Sequence, residues 1–323
     1  FERNGLSNVL FNINFYKLFI VLHPTKMKID KRSFLKCAGA FAGTLLLPRF
    51  YVSYDHLDRD YHGDPILNKN SRNLCLPLDE PLELKVATWN ICGIPKKLDT
   101  PLSERMPLIN KMIYEFSPDL IGFQEAFLLS SRREIIEGLS KTNLKFHTYF
   151  PSRLGSGLLT VSSFPIIDKD FIMYDPQSGP INLNAEWYAG KGVGRTRVNI
   201  KKGINIDFFN THLHAGNLNI RRNQINQCTN FVSRYLENDK PTFLASDLNC
   251  SIGDGEYSEF MKLGNFVRVM DNDFGSIEHI HAGNLKHNSV RNIKTWEIPG
   301  EYNGIQLSDH LGYVSKILIE PYS

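Results

Sequence analysis

The sequence predicts an α/β fold, and three observations carry that prediction. From residue 84 onward, short apolar runs alternate with amphipathic stretches, the pattern of a sheet covered by helices. The runs at 84–90, 120–124, 157–162, 204–213, 242–247 and 313–319 have the length and the β-branched and aromatic content of strands. The segments 103–116, 132–139, 219–236 and 257–263 between them read as helices. In the first, Met106, Ile109, Met112 and Ile113 recur at three- and four-residue steps and make one apolar stripe.

The chain of 323 residues is long enough for one large domain with an extension, or for two small ones. Hydrophobic residues make up 42% and charged residues 22%, ordinary for a globular protein with a core. Thirty-seven basic against thirty-four acidic side chains leave a formal charge of +3, too little to argue for nucleic acid as the partner. Basic pairs such as Lys201-Lys202 and Arg221-Arg222 read as solvated faces. Five scattered cysteines without a C-x-x-C spacing exclude a zinc knuckle, and their odd number leaves at least one unpaired within the chain.

Three segments follow from composition. Residues 1–47 form an N-terminal extension, and Met27 opens a signal-like stretch over 27–47: Lys28, Lys31 and Arg32, then a short run of small and apolar residues from Cys37 to Leu47. That run is short for a bilayer span. Lys31-Arg32-Ser33-Phe34-Leu35-Lys36 resembles a twin-arginine export signal with lysine in the first arginine's place, so the expectation is an exported protein, with an uncleaved membrane anchor or a surface helix packed on the domain as the alternatives. Residues 48–82 lack apolar periodicity and read as a linker, leaving 83–323 for the α/β domain.

Polar residues stand where the apolar strands end, and a strand that buries its middle projects its last side chains into the cleft beside the sheet. Asn90, Glu125, His212, and Asp247 with Asn249 follow four such strands, and Ser308-Asp309-His310 precedes the last one. Carboxylates and amides are oxygen ligands, right for Mg²⁺ (with Mn²⁺ as an alternative) and wrong for zinc. Asp247 and Asn249 are two apart, so an extended chain would point both to one face. His212 and His310 can move protons near neutral pH, which phosphate-ester hydrolysis requires of its water and its leaving oxygen.

In order along the chain, Thr88-Trp89-Asn90, Phe123-Gln124-Glu125, Asn210-Thr211-His212-Leu213, Ser246-Asp247-Leu248-Asn249 and Ser308-Asp309-His310 resemble the motifs of the endonuclease/exonuclease/phosphatase superfamily. Ile277-Glu278-His279-Ile280 fits the same order, with Glu278 where aspartate is commoner. The resemblance implies a four-layer α/β/β/α sandwich of two mixed sheets flanked by helices. It also implies roles: Glu125 as principal Mg²⁺ ligand with Asn90 beside it, Asp247 and Asn249 orienting phosphate and water, His310 supported by Asp309 as general base, and His212 stabilising the transferring phosphate or assisting the leaving group.

Within the superfamily the chain is most similar to the neutral sphingomyelinases. Trp89-Asn90-Ile91-Cys92-Gly93-Ile94-Pro95 resembles their opening motif, and Thr211-His212-Leu213-His214-Ala215 their T-H-L-H-A. Glu186-Trp187-Tyr188-Ala189-Gly190-Lys191-Gly192 resembles their glycine- and lysine-containing segment, with Glu186 in place of the usual aspartate. Lys191 and His214 are thereby expected to bind substrate, and Trp187 and Tyr188 to dip into a lipid interface or pack in the core. The implied activity is magnesium-dependent, phospholipase C-type cleavage of sphingomyelin to ceramide and phosphocholine at a membrane surface. An exported nuclease of the same fold is the near alternative, with nucleic acid disfavoured by charge, and a catalytically dead binding protein the distant one. No protein partner is implied.

Overall fold

The computed structural model describes residues 78, 80–94, 97–152, 155–175, 189–201, 203–236, 240–271, 275–286 and 288–321. All belong to Phe50–Ser323, the second of two units into which the chain divides. The export-signal-like stretch, nearly all of the linker, and Glu186, Trp187 and Tyr188 lie outside the described residues.

Two six-stranded mixed sheets carry the fold. The first contains β1 (Leu82–Asn90), β2 (Leu120–Gln124), β3 (Phe146–Tyr149), β4 (Leu159–Ser162), β11 (Asn288–Ile298) and β14 (Gly312–Pro321), in the order β11-β14-β1-β2-β4-β3. The second contains β5 (Ile166–Met173), β6 (Gly192–Lys201), β7 (Ile204–His212), β8 (Thr242–Asp247), β9 (Val267–Arg268) and β10 (Glu278–Gly283), in the order β5-β6-β7-β8-β10-β9. Helices α1 (Leu102–Phe116), α2 (Leu129–Leu139), α3 (Leu218–Leu236) and α4 (Gly255–Gly264) cover the outer faces, and a small hairpin, β12 (Glu301–Tyr302) with β13 (Ile305–Gln306), precedes β14. The predicted strands and helices are all present, 120–124 and 242–247 with the expected bounds and the rest with an end shifted by at most three residues.

Strand alternation explains the layering, because successive side chains face opposite sides of a sheet. In β1, Val86 joins the apolar layer between the sheets, while Ala87 and Trp89 join the layer under α1 and α2. In β7 and β8, Phe208 and Phe243 face the other sheet, while Phe209 and Leu244 pack with Phe231, Tyr257 and Phe260 of α3 and α4. The predicted stripe on α1 is buried as expected.

The sheets meet closely toward the site. A Cβ on Gly122 would come within 2.9 Å of the Ala245 methyl and 3.0 Å of the Asn210 side chain, so only glycine allows this approach. A buried amide network bridges the layers there. Gln124 Nε2 donates to Asn210 Oδ1 at 2.8 Å, and Asn210 Nδ2 donates to the carbonyls of Phe123 (3.0 Å) and Leu159 (3.2 Å).

One pair of strands differs from expectation in a telling way. Residues 192–201 and 278–283 were not predicted as strands, yet β6 and β10 lie inside the second sheet and carry buried charge and imidazole. In β6, Arg195 and Arg197 converge on Asp207 of β7: Arg195 Nη1 donates at 2.7 Å, Arg197 Nε at 2.9 Å and Arg197 Nη2 at 2.8 Å. Arg195 also pairs with Asp168 and stacks 4.1 Å over the Tyr235 ring.

Candidate active site

Strand direction brings the polar strand ends together. β1 and β2 run parallel, with Asn90 opposite Gln124, and β7 and β8 run parallel, with His212 opposite Asp247. β10 runs antiparallel to β8 and starts at the same end, setting Glu278 opposite Asp247. β14 runs antiparallel to β1, with Tyr313 opposite Thr88, so the preceding Ser308–His310 segment falls at that end too. Three turns complete the arrangement. Among the described residues, Cys92 (φ 48°), Glu125 (φ 56°) and Asn249 (φ 51°) take left-handed backbone just beyond β1, β2 and β8. Such conformations cost about 1–3 kcal/mol each and persist only where surrounding contacts hold them.

At the centre is Asn90, fully buried. Its Nδ2 lies 2.9 Å from Asp247 Oδ2, 3.3 Å from Glu125 Oε1 and 3.4 Å from His310 Nε2, while its Oδ1 accepts the Cys92 N–H at 3.0 Å. The amide thus bridges carboxylates through its nitrogen, where its residue type suggests an oxygen ligand. Glu125 Oε2 is buried and has no hydrogen-bond partner, an oxygen that a cation would satisfy. Lys97 Nζ approaches the other oxygen at 3.7 Å and pairs with Asp309 at 2.9 Å.

The partner of His310 also differs from expectation. Its Nδ1 meets the Glu278 carboxylate in a short hydrogen bond, while Asp309 lies 3.7 Å from Nε2 and is held by Lys97. Burial opposes a charge on His310, but the bond to Glu278 and the nearby Asp247 more than offset it, and its pKa rises to about 9. Asp247 moves up to about 6, through burial and then the neighbouring Glu278 charge, despite help from His310 and Asn90. One atom from each of Asp247, Glu278 and His310 falls within 4.8 Å of the others, a spacing able to hold a metal. The carboxylates of that trio and, separately, the open Glu125 oxygen are the hard oxygen donors a divalent cation takes.

His212 is buried and its pKa falls well below 6.5, through burial and the Lys191 ammonium. Lys191 Nζ lies 3.1 Å from His212 Nε2 and donates to the Leu213 carbonyl at 2.5 Å, and Asp247 Oδ2 lies 3.3 Å from Nε2. His212 is therefore held as the neutral imidazole, its Nε2 lying between the Lys191 amine and the Asp247 carboxylate. Asn249 is not extended from Asp247. The left-handed turn returns its N–H to Asp247 Oδ1 at 3.0 Å and points its Nδ2 at the Leu213 carbonyl at 2.9 Å, locking together the loops after β7 and β8. His214 Nδ1 accepts the N–H groups of Gly216 and Asn217, each at 3.0 Å, just ahead of α3. That atom shapes the loop.

One basic residue differs from its sequence reading, and another carries no sequence signal. Arg221 is not part of a solvated face: it donates to the His214 and Ala215 carbonyls and pairs with Glu256 at 2.9 Å, fixing the loop that follows His212. Lys97 had no signal beyond its closeness to the Asn90 motif. Cys92, Cys228 and Cys250 are free and buried.

With this geometry in view, the comparisons with known proteins are direct. Residues 87–305 match the Endonuclease/Exonuclease/phosphatase family, and the chain belongs to that family. It is 26% identical over 219 residues to a putative neutral sphingomyelinase of Drosophila melanogaster, covering 64% of this chain and 47% of that protein. It is 30% identical over 142 residues to an inositol phosphosphingolipids phospholipase C of Schizosaccharomyces pombe, covering 43% of this chain and 33% of that one. The chain thus spans about half or less of these curated relatives. A beta toxin variant from Staphylococcus aureus with bound magnesium ions shares the fold at TM-score 0.57 and 18% identity, covering 73% of this chain and 99% of that one.

Proposed function

We propose that the protein is a magnesium-dependent phosphodiesterase that cleaves sphingomyelin to ceramide and phosphocholine. The observation that carries this reading is the His310–Glu278 pair beside Asp247, bridged through Asn90 to a Glu125 carboxylate with an unsatisfied oxygen. A magnesium ion held by Glu125 and its neighbours would supply positive charge to the phosphate oxygens and to the attacking water. His310, oriented through Nδ1 by Glu278, takes the proton from that water; with a pKa of about 9 it needs a second positive charge nearby to become a base at neutral pH. Lys191, backed by neutral His212, neutralises charge on the transferring phosphate. Asn90, Asp247 and Asn249 keep these groups in register.

The lipid substrate rests on the kinship with the fly and fission-yeast proteins, named for sphingomyelin and inositol phosphosphingolipids, and on a net charge poorly suited to DNA. The pattern of residues 27–47 supports export, which would place the enzyme at an outward membrane surface. Among the described residues no helix is long and apolar enough to cross a membrane. The test sets sphingomyelin vesicles against plasmid DNA, each with Mg²⁺ and with chelator. Chelator-sensitive release of phosphocholine, with DNA left intact, is expected. Brisk DNA cleavage over inert vesicles would overturn the lipid assignment in favour of a nuclease. Vesicles with choline, ethanolamine and inositol headgroups define the preference.

A further inference from the structure

A guanidinium on α1 grips the backbone on both sides of the site. Arg105 is 1% exposed, yet among the described residues no carboxylate hydrogen-bonds to it. Its Nη1 donates to the Ile91 carbonyl at 3.0 Å and to the Leu307 carbonyl at 2.5 Å, and its Nη2 donates to the Cys92 carbonyl at 2.9 Å. A buried cation is tolerated only when such acceptors replace its water. The positions of these acceptors are informative. Ile91 and Cys92 are the first two residues after Asn90, and Leu307 stands three before His310. One fork therefore joins two segments more than 200 residues apart, each bearing a site residue.

Both grips act on conformations that need holding. Cys92 is the left-handed residue whose N–H fastens the Asn90 side chain, and Arg105 holds its carbonyl. On the other side, Leu307 leads into Ser308, whose hydroxyl donates to the Asn90 carbonyl at 2.7 Å and accepts the His310 N–H at 3.1 Å. Trp89 Nε1 adds a contact to the His310 carbonyl at 3.4 Å. Arg105 and Ser308 are thus two straps across one gap, between the strand end carrying Asn90 and the loop carrying His310.

We infer that Arg105 is a positioning residue for the active site, setting the distance between Asn90, with the carboxylates it bridges, and His310. This rests on the phosphodiesterase reading only for its kinetic arm. Lysine can keep the charge but not the planar fork that reaches three carbonyls at once. In Arg105→Lys, kcat should fall roughly 10–100-fold with KM unchanged and the circular dichroism spectrum intact, and Mn²⁺ affinity by calorimetry should fall by a similar factor, as when an outer support of a metal site is removed. Ser308→Ala, which leaves Arg105 in place, should lower kcat in the same direction. Because the two straps span one gap, the double variant should lose clearly less than the product of the single losses. Wild-type kcat in Arg105→Lys, a loss confined to KM, or independent effects of the two sites would overturn the inference. If Arg105→Lys fails to fold, Ser308→Ala decides alone, and unchanged kcat and Mn²⁺ affinity there would overturn it. A wild-type protein inert on sphingomyelin counts against the proposed substrate instead, and the Mn²⁺ measurements then still read the role of Arg105.

Discussion

Replacing Glu278 with glutamine tests the centre of the site, because the amide keeps the shape and removes the charge. His310 rises from 6.5 to about 9, and Glu278 acts on it twice, through the hydrogen bond at Nδ1 and through its charge. That rise is worth roughly 3 kcal/mol of preference for the imidazolium. With Asp247 and Asp309 still present, losing Glu278 should lower the His310 midpoint by at least ~1 unit. The direction of the linkage is fixed. A histidine whose folded pKa exceeds its unfolded one stabilises the fold fully below about 6.5, and this stabilisation disappears as pH climbs to about 9. In chelator, wild-type stability should therefore decline across that window by up to ~3 kcal/mol, and Glu278→Gln should flatten the decline. The assays are imidazole NMR titration of His310, and urea midpoints at pH 6 and pH 9. Activity on sphingomyelin should drop roughly 10²–10⁴-fold with loss of an oriented base, and Glu278→Asp should recover part of it. An unmoved His310 midpoint together with an unchanged stability slope would refute the reasoning, because Glu278 would then not be the group that sets His310.

Two further outcomes follow from buried carboxylates. Glu125→Gln removes the unpartnered Oε2 and should weaken Mn²⁺ binding by about 10–100-fold in calorimetry, while leaving the melting temperature in chelator equal or higher, since one buried charge is gone; unchanged affinity would place the metal elsewhere. Asp207→Asn strips the fully buried acceptor shared by Arg195 and Arg197 and should cost about 3–5 kcal/mol, read as a drop in the urea midpoint, with no specific loss of activity per folded molecule.

What could be read from the sequence divides by burial and polarity. β1, β2, β4, β7, β8 and β14 lie inside their sheets, are apolar enough to bury both faces, and were all visible as runs. Of the strands missed, β3, β5, β9 and β11 stand at sheet edges, where one side faces solvent and the run is broken by residues such as Lys169, Asp170, Arg291 and Lys294. β6 and β10 are interior but bury Arg195 and Arg197, or His279 and His281, so their polarity hid them. His281 stays neutral, its pKa lowered well below 6.5 by burial, and its Nε2 lies 3.2 Å from the Tyr257 hydroxyl. Composition cannot show such pairing, because the partner is distant in the chain. The same limit explains the site. Asn90, Glu125, His212, Asp247 and His310 stood out as polar ends of apolar runs, whereas the choice of Glu278 over Asp309 as the partner of His310 depends on the register of β10 against β8.

Why the strand ends were legible at all follows from topology. Among the described strands only β1 with β2 and β7 with β8 pair in parallel, and parallel neighbours require a long crossover, here the segments holding α1 and α3. Each crossover must leave at the C-terminal end of its first strand and return at the opposite end. The loops after β1, β2, β7 and β8 therefore gather at one edge of the sandwich, and the apolar layers beneath fix their register. A shift of one residue in β8 would turn Phe243 and Ala245 out of the layer between the sheets and carry Asp247 away from Asn90 together with them. Core and chemistry thus share one constraint: the alternation that buries Phe243 is the alternation that aims Asp247.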